Sequence, residues 1–291
     1  MKKPLILVAF ALCSGSVFAL PDYEPFADAS SSGGTTYTIG ANLIGQTNAG
    51  GQAWFQAGPA NSTQPTITAG SLSYADLPPS QGNSVGFGGN GESARLNTSS
   101  IVGSGTLYFS FLLDASSAPS GGSGGVFWAG FNNSAGSQST TPTTIATRVY
   151  SKPSGSGYLL GVSKNSSSTS DWVWDTTVHS FGETVLVVGS YTFNTASTSD
   201  DVSQLWIDPP VITPGGAAPT PTLVATTGGD ITSSQIASFV LFDRSASELA
   251  GTLDELRIGN SYASVVPEPS TAVLGGLGVL ALVTFWRGRR H

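Results

Sequence analysis

Chemistry in this chain would have to come from carboxylates, because the other usual reactive groups are nearly absent. There is one cysteine, Cys13, and two histidines, of which only His179 precedes the last residue. A lone histidine without cysteine makes a zinc site or a Ser-His-Asp triad hard to build. Three acidic groupings remain. Asp254 and Glu255 are adjacent on an expected strand, so their side chains should point to opposite faces. A glycosidase instead needs two carboxyls within ~5–10 Å across one sugar bond. Asp171 and Asp175 share a face of another expected strand but sit ~13 Å apart at ~3.3 Å per residue. Trp172 and Trp174 lie on that strand's other face, an aromatic pair able to stack on sugar rings or to serve as core and rim. Asp200, Asp201 and Asp208 cluster near a strand start and offer the oxygen ligands calcium takes. They have no D-x-D-x-D-G loop, and solvated turn acids are the other reading. No G-x-S-x-G, phosphate-binding loop or dinucleotide fingerprint occurs.

The elements that would position these residues are strands. From Leu20 to Val265 no convincing helical periodicity occurs. Short β-type runs are separated by Gly/Ser/Asn/Pro clusters, the pattern of a two-sheet sandwich. The clearest is Gly105–Leu113, with Leu107, Phe109, Phe111 and Leu113 on one face and Thr106, Tyr108, Ser110 and Leu112 on the other. The first face predicts core, and the mixed second face predicts a central strand. Val126–Phe131 should place Phe127, Ala129 and Phe131 on one side. Further strands are expected at 144–149, 158–163, 171–175, 183–193, 203–208, 238–243 and 251–258, with a Pro/Gly/Thr-rich loop over 209–227. Residues 262–265 read as a short linker.

The ends are of a different kind. Met1–Ala19 has a charged start (Lys2, Lys3), an apolar stretch and a small-x-small site at Val17-Phe18-Ala19, the signature of a secretory signal peptide. Cys13 invites a lipoprotein reading, but Leu12 stands where a lipobox needs a small residue. A mature chain starting at Leu20 has no cysteine, so disulfides and thiolate chemistry are excluded. The last stretch runs Pro267-Glu268-Pro269, an uncharged segment from Ser270 to Trp286, and then Arg287, Arg289 and Arg290. The prolines impose an extended elbow. The 17-residue run would span roughly 25 Å as a helix, near the low end of what crosses a bilayer. The arginines should stay cytoplasmic. Between the two ends, six basic side chains face 18 acidic ones, Glu268 included. A net charge near −12 on that part argues against nucleic acid as a partner, since that demands a basic footprint.

The tail V-P-E-P-S, apolar run and arginine cluster resembles the PEP-CTERM sorting signal of exported bacterial proteins. The resemblance implies retention in the inner membrane, cutting near P-E-P by an exosortase-type protease, and delivery to the cell surface or extracellular matrix. An ordinary C-terminal anchor is the plainer alternative. G-T-L-Y-F-S-F-L-L, G-Y-L-L-G-V, L-W-I-D-P and above all G-T-L-D-E-L-R-I-G resemble the LamG-like (concanavalin A-like) jelly rolls of exported bacterial proteins. That resemblance implies an all-β, two-sheet jelly roll over 20–265, between a signal peptide at 1–19 and a sorting signal with one transmembrane helix at 266–291. Laminarinase-like enzymes of that fold use E-x-D-x-E, and no glutamate here begins that motif. The expectation is therefore a non-enzymatic, surface-sorted protein that binds or organises extracellular polysaccharide. A glycan-cleaving enzyme of the same fold and a passive matrix protein are the alternatives. No cofactor is required, calcium being the one ion considered. Exposure of Trp54, Trp128, Trp172, Trp174 and Trp206 separates the readings, because stacking recognition needs an open aromatic face.

Overall fold

The computed structural model describes residues 22–28, 37–48, 51–75, 77–88, 91–119, 124–210, 216–231, 235–243 and 248–267. The expected signal peptide, the apolar tail helix, Glu268, Pro269, Arg287, Arg289 and Arg290 lie outside these residues. Among the described residues no helix is long and apolar enough to cross a membrane.

Among the described residues fifteen strands follow in chain order. They are β1 (Asp22–Glu24), β2 (Trp54–Gln56), β3 (Thr66–Thr68), β4 (Ser84–Phe87), β5 (Ala94–Val102), β6 (Gly105–Ser117), β7 (Val126–Asn132) and β8 (Ile145–Ser154). Then come β9 (Gly157–Ser163), β10 (Val173–Trp174), β11 (Thr184–Phe193), β12 (Val202–Ile207), β13 (Leu223–Ala225), β14 (Ile236–Leu241) and β15 (Ala250–Gly259). One helical turn, α1 (Tyr262–Val265), closes the series. The strands form two antiparallel sheets. An eight-stranded sheet runs β13-β12-β11-β6-β15-β4-β3, with β1 also on β15, and a seven-stranded sheet runs β10-β9-β8-β7-β14-β5-β2. This is the two-sheet sandwich that the strand pattern predicts, consistent with a jelly roll.

The expected strongest strand is central. β6 pairs with β11 from Gly105 to Asp114 and with β15 on its other side. Leu107, Phe109, Phe111 and Leu113 are fully buried and face the second sheet. Phe109 meets Phe131 at 5.0 Å and Phe239 at 5.3 Å, and Phe111 meets Trp128 at 5.5 Å. At ~1.5–3 kcal/mol per large buried side chain, these rings are a main source of cohesion between the sheets.

Four expectations need correction. Along β7 the register shifts twice, at Phe127/Ala129 and Ala129/Phe131. Trp128 and Ala129 therefore both enter the core, while Phe127 joins a separate cluster with Val240 and Phe242. Within 171–175 only Val173 and Trp174 are strand, and Asp171 ends a 3-10 turn (Thr169–Asp171). The Pro/Gly/Thr-rich connection contains β13, which pairs with β12. Finally, residues 262–265 are not a free linker. Ser261 caps α1 reciprocally with Ser264, and Tyr262, Val265 and Val266 pack against Leu112, Leu186, Val188 and Trp206 on the outside of the eight-stranded sheet.

Candidate functional site

The outward face of the seven-stranded sheet carries an aromatic platform, and the strand pleat explains it. In β8, Ala146 and Val149 turn into the core. Arg148, Tyr150 and Lys152 turn outward, where their rings and charges meet Phe127, Trp172 and Trp174. In β9, Leu160 and Val162 point inward, so Gly161 between them faces outward. Trp174 pairs with Gly161 across the ladder and lays its indole over it. A Cβ at Gly161 would come within 2.6 Å of that ring, and one at Gly125 within 2.4 Å. These two glycines leave the room the indole occupies, its plane 66° from those of Tyr150 and Trp172.

The other rings are fixed in turn. Trp172 covers Tyr150 at 4.1 Å between centroids and 32° between planes. Trp174 lies 6.2 Å from both. Tyr150 leads to Phe127 at 5.8 Å, and Phe127 to Phe242 at 4.7 Å. The Tyr150 hydroxyl and the Trp172 Nε1 both donate to the carbonyl of Ser166, at 2.9 and 3.3 Å. Ser166 Oγ donates to Asp171 Oδ2 at 2.6 Å, tying down the turn that aims Trp172. The band crosses five neighbouring strands, roughly 19 Å at the usual strand spacing. Trp172 and Trp174 are half-buried, whereas Trp54, Trp128 and Trp206 are at most 2% exposed. Trp172, Trp174 and Phe127 therefore reach solvent over the buried Tyr150 and Phe242, and partly open rings are what stacking recognition needs.

Cations border it. The Arg148 guanidinium sits 5.1 Å above the Phe127 ring, held by its own donations to the carbonyls of Ile145 and Thr143. Lys152 Nζ lies 4.3 Å from the Trp174 centroid. Tyr150, Phe127, Arg148 and Lys152 had no place among the candidates from sequence. The signal was available: Arg-x-Tyr-x-Lys at 148, 150 and 152 puts all three on one face of a strand.

The acidic candidates are arranged otherwise. Asp254 and Glu255 do not point to opposite faces. Leu253 and Leu256 both enter the core, which alternation forbids at that spacing unless the strand bulges between them. The register breaks there, and Glu255 has φ 55°. Both carboxylates consequently hold the segment that follows β3. Asp254 Oδ2 accepts from Leu72 N and Glu255 Oε1 from Gln81 N, each at 2.8 Å. Glu255 also takes the Tyr23 hydroxyl and Arg257 Nη2. β15 is a central strand, between β6 and β4. Burial, with Glu255 beside it, raises the Asp254 carboxyl to about 8. Glu24, buried where Phe26 N, Tyr37 and Trp54 donate to it, is raised by desolvation to about 7.

The three aspartates considered for calcium separate. Asp208 lies at the far end of β12, where its Oδ1 accepts from Leu186 N. Asp230 takes its place: carboxylate oxygens of Asp200, Asp201 and Asp230 lie within 4.8 Å of one another. A positive charge is already there. The fully buried Lys164 reaches Asp230 Oδ1 at 2.9 Å and the carbonyl of Ser199 at 2.8 Å. Asp201 spends its oxygens on the Tyr191 hydroxyl and Asn194 N, and Asp200 Oδ2 holds Ala196 N and Ser197 N. A cleft of about 290 Å³ opens beside this cluster. His179, buried, pairs with Asp175 at 2.7 Å and binds Tyr158 through its backbone. Both clusters fasten loops.

A profile of the PEP-CTERM protein-sorting motif matches residues 265–290. No curated protein sequence matches the chain. Among solved structures, domain 4 of AbnA, an extracellular arabinanase from Geobacillus stearothermophilus, is 15% identical with a TM-score of 0.44, over 77% of this chain and 91% of that one. The endo-β-1,4-glucuronan lyase of the fungus Trichoderma reesei is 12% identical with a TM-score of 0.43, over 75% and 98%. The globular domain of T. cruzi calreticulin is 13% identical with a TM-score of 0.42, over 77% and 90%. The match at 265–290 marks the chain as carrying the sorting signal of exported proteins; it begins at Val265, the last residue of α1, buried against the outside of the eight-stranded sheet.

Proposed function

We propose that this is a non-enzymatic exported protein that binds extracellular polysaccharide through the Trp172–Trp174 platform, which Tyr150 supports from beneath. Its division is a signal peptide at 1–19, a LamG-like sandwich over 20–265 and a sorting signal at 266–291. An exosortase-type protease cuts near Pro267-Glu268-Pro269, Arg287, Arg289 and Arg290 hold the tail in the inner membrane beforehand, and the product stays at the cell surface or in the matrix. The observation that carries the binding reading is the pair of half-exposed indoles, Trp174 seated against Gly125 and Gly161. Sugar rings present an apolar C–H face that stacks on such rings, and a rigid platform loses little entropy on binding. The non-enzymatic reading is supported by what the buried acids do. Asp254 and Glu255 hold backbone amides of the segment above them.

The test is a panel of extracellular polysaccharides offered to the full-length protein in detergent. Retardation by at least one of them, lost in Trp172→Ala, is expected. Release of reducing ends or unsaturated sugars during the same incubation would favour the glycan-cleaving alternative. Equal binding by wild type and Trp172→Ala would remove the platform from the account.

A further inference from the structure

The basic residues are distributed against the trend of the chain. Five of them lie among the described residues of the sandwich: Arg95, Arg148, Lys152, Lys164 and Arg257. The two away from the platform face are both neutralised, Lys164 by Asp230 at 2.9 Å and Arg257 by Glu255 at 2.6 Å. The other three face outward from the seven-stranded sheet. Arg148 and Lys152 border the platform over Phe127 and Trp174. Arg95 lies between the core residues Ala94 and Leu96 and opposite the outward Val240, three strands from β8. None of these three has a carboxylate partner among the described residues, although the whole chain carries 18 acids to 11 bases.

Arg95 is the sharpest case. Its side chain is completely buried, its Nη2 donates to Gln138 Oε1 at 2.8 Å, and its Nε and Nη1 have no partner. Burial lowers it only to about 10, so it remains charged at neutral pH. The acids flanking the tryptophans are engaged elsewhere: Asp171 with Ser166, Asp175 with Leu160 N and His179. An acid-rich chain that pairs its other described cations leaves these three without a carboxylate, Arg95 and Arg148 buried and Lys152 partly exposed.

We propose that the ligand of the platform is an anionic polysaccharide, one whose stacked rings carry carboxylate or sulfate groups. This rests on the reading of the platform as a glycan surface. A ring stacked beside the indoles brings its substituents to Lys152, whose Nζ stands over the Trp174 ring, while Arg148, buried over Phe127, adds charge from behind. A charged group there gains a charge-assisted contact. A neutral chain would instead cover Lys152 and strip water from its ammonium without returning a partner. Arg95, under the Gln138 segment, adds field rather than contact.

The experiment uses the full-length protein in detergent, titrated with polygalacturonate, dextran sulfate and neutral dextran at about 50 and about 300 mM salt. Polygalacturonate, dextran sulfate or both should bind and dextran should not. Affinity for the anionic chain should drop about tenfold across that salt range, Lys152→Gln should weaken it about fivefold, and Trp172→Ala more than tenfold. If only one polyanion binds, its charged group names the source. If dextran binds as tightly as the anionic chains and Lys152→Gln changes nothing while Trp172→Ala abolishes binding, the anionic inference is overturned and the platform reading survives. If polyanions bind wild type and Trp172→Ala alike, the protein is acting as an ion exchanger and both fall. No retention of any chain sinks both as well. Lys152 is on the surface, so its variants remain folded, and Lys152→Glu provides a second, larger loss on the same axis.

Discussion

On the outside of the eight-stranded sheet, Tyr108, Trp206 and Tyr262 meet at 5.3–6.4 Å. On the outside of the seven-stranded sheet, Tyr150, Trp172 and Trp174 meet at 4.1–6.2 Å. The two aromatic groups are alike in size and chemistry, and the chain treats their tryptophans differently, burying Trp206 and leaving Trp172 and Trp174 partly exposed. It returns over the first with the segment after β3, whose Leu72, Tyr74 and Leu77 pack on it, and with α1 and Val266. Trp206 is left 2% exposed, its Nε1 donating to the carbonyl of Pro219 at 2.7 Å. Ser110 Oγ donates to the carbonyl of Val265, and Asp254 and Glu255 hold Leu72 N and Gln81 N. No such cover, among the described residues, lies over Trp172 and Trp174. A buried aromatic face is core whether it lies between the sheets or outside them, and an open one built on glycines is a surface for something else.

If that distinction is sound, the largest contrast is in stability. Trp206→Ala should cost about 3–5 kcal/mol through the cavity it leaves, and Trp172→Ala less than about 1.5 kcal/mol. Urea unfolding of the two variants measures this, and equal losses would erase the difference between covered and open faces. Next come the cations. Lys164→Met strands Asp230 beside Asp200 and Asp201 and should cost about 3 kcal/mol, whereas Lys152→Gln should change stability by no more than about 0.5 kcal/mol. Calcium or a chelator should leave the melting temperature of wild type unmoved, because Lys164 already supplies the positive charge in the aspartate cluster.

The pH dependence tests the covered side. Asp254 and Glu24 have folded-state values raised to about 8 and about 7, mainly by burial. In the unfolded chain they titrate near their ordinary ~4. Between those limits the folded state binds more protons, so stability falls as pH rises. Melting should occur at a higher temperature at pH 5 than at pH 9, and Asp254→Asn should flatten that slope. A slope of opposite sign would mean these carboxyls are not buried as described. Gly161→Ala acts chiefly on binding: its Cβ pushes Trp174 out of place, costing about 1 kcal/mol in stability but most of the polysaccharide affinity.

The sandwich itself was legible. Gly105–Leu113 names both its core face and its central place, because strict alternation of large apolar residues has one solution in a sheet. What escaped were features that depend on broken alternation or distant pairing. The Asp254/Glu255 bulge reverses the face of one carboxylate, and no local signal marks it except the spacing of Leu253 and Leu256. Asp230 joins Asp200 and Asp201 only because its loop folds back beside theirs, which sequence proximity to Asp208 concealed. Trp172 and Trp174 were singled out on a strand that mostly does not exist. They converge because a 3-10 turn delivers one and β10 the other to the same tyrosine. The apolar cover on Trp206 could not be read at all, since Leu72, Tyr74, Leu77 and Tyr262 come from segments more than 40 residues away along the chain in either direction.

Residue-resolved oxidative footprinting of the full-length protein with and without polygalacturonate shows whether polysaccharide binds at the exposed tryptophans. In the free protein Trp172 and Trp174 should oxidise, and Trp54, Trp128 and Trp206 should be protected. With the polysaccharide bound, Trp172 and Trp174 should become protected and the other three should not change. Undiminished oxidation of Trp172 and Trp174 in the presence of a bound chain would place the binding surface elsewhere and contradict the account.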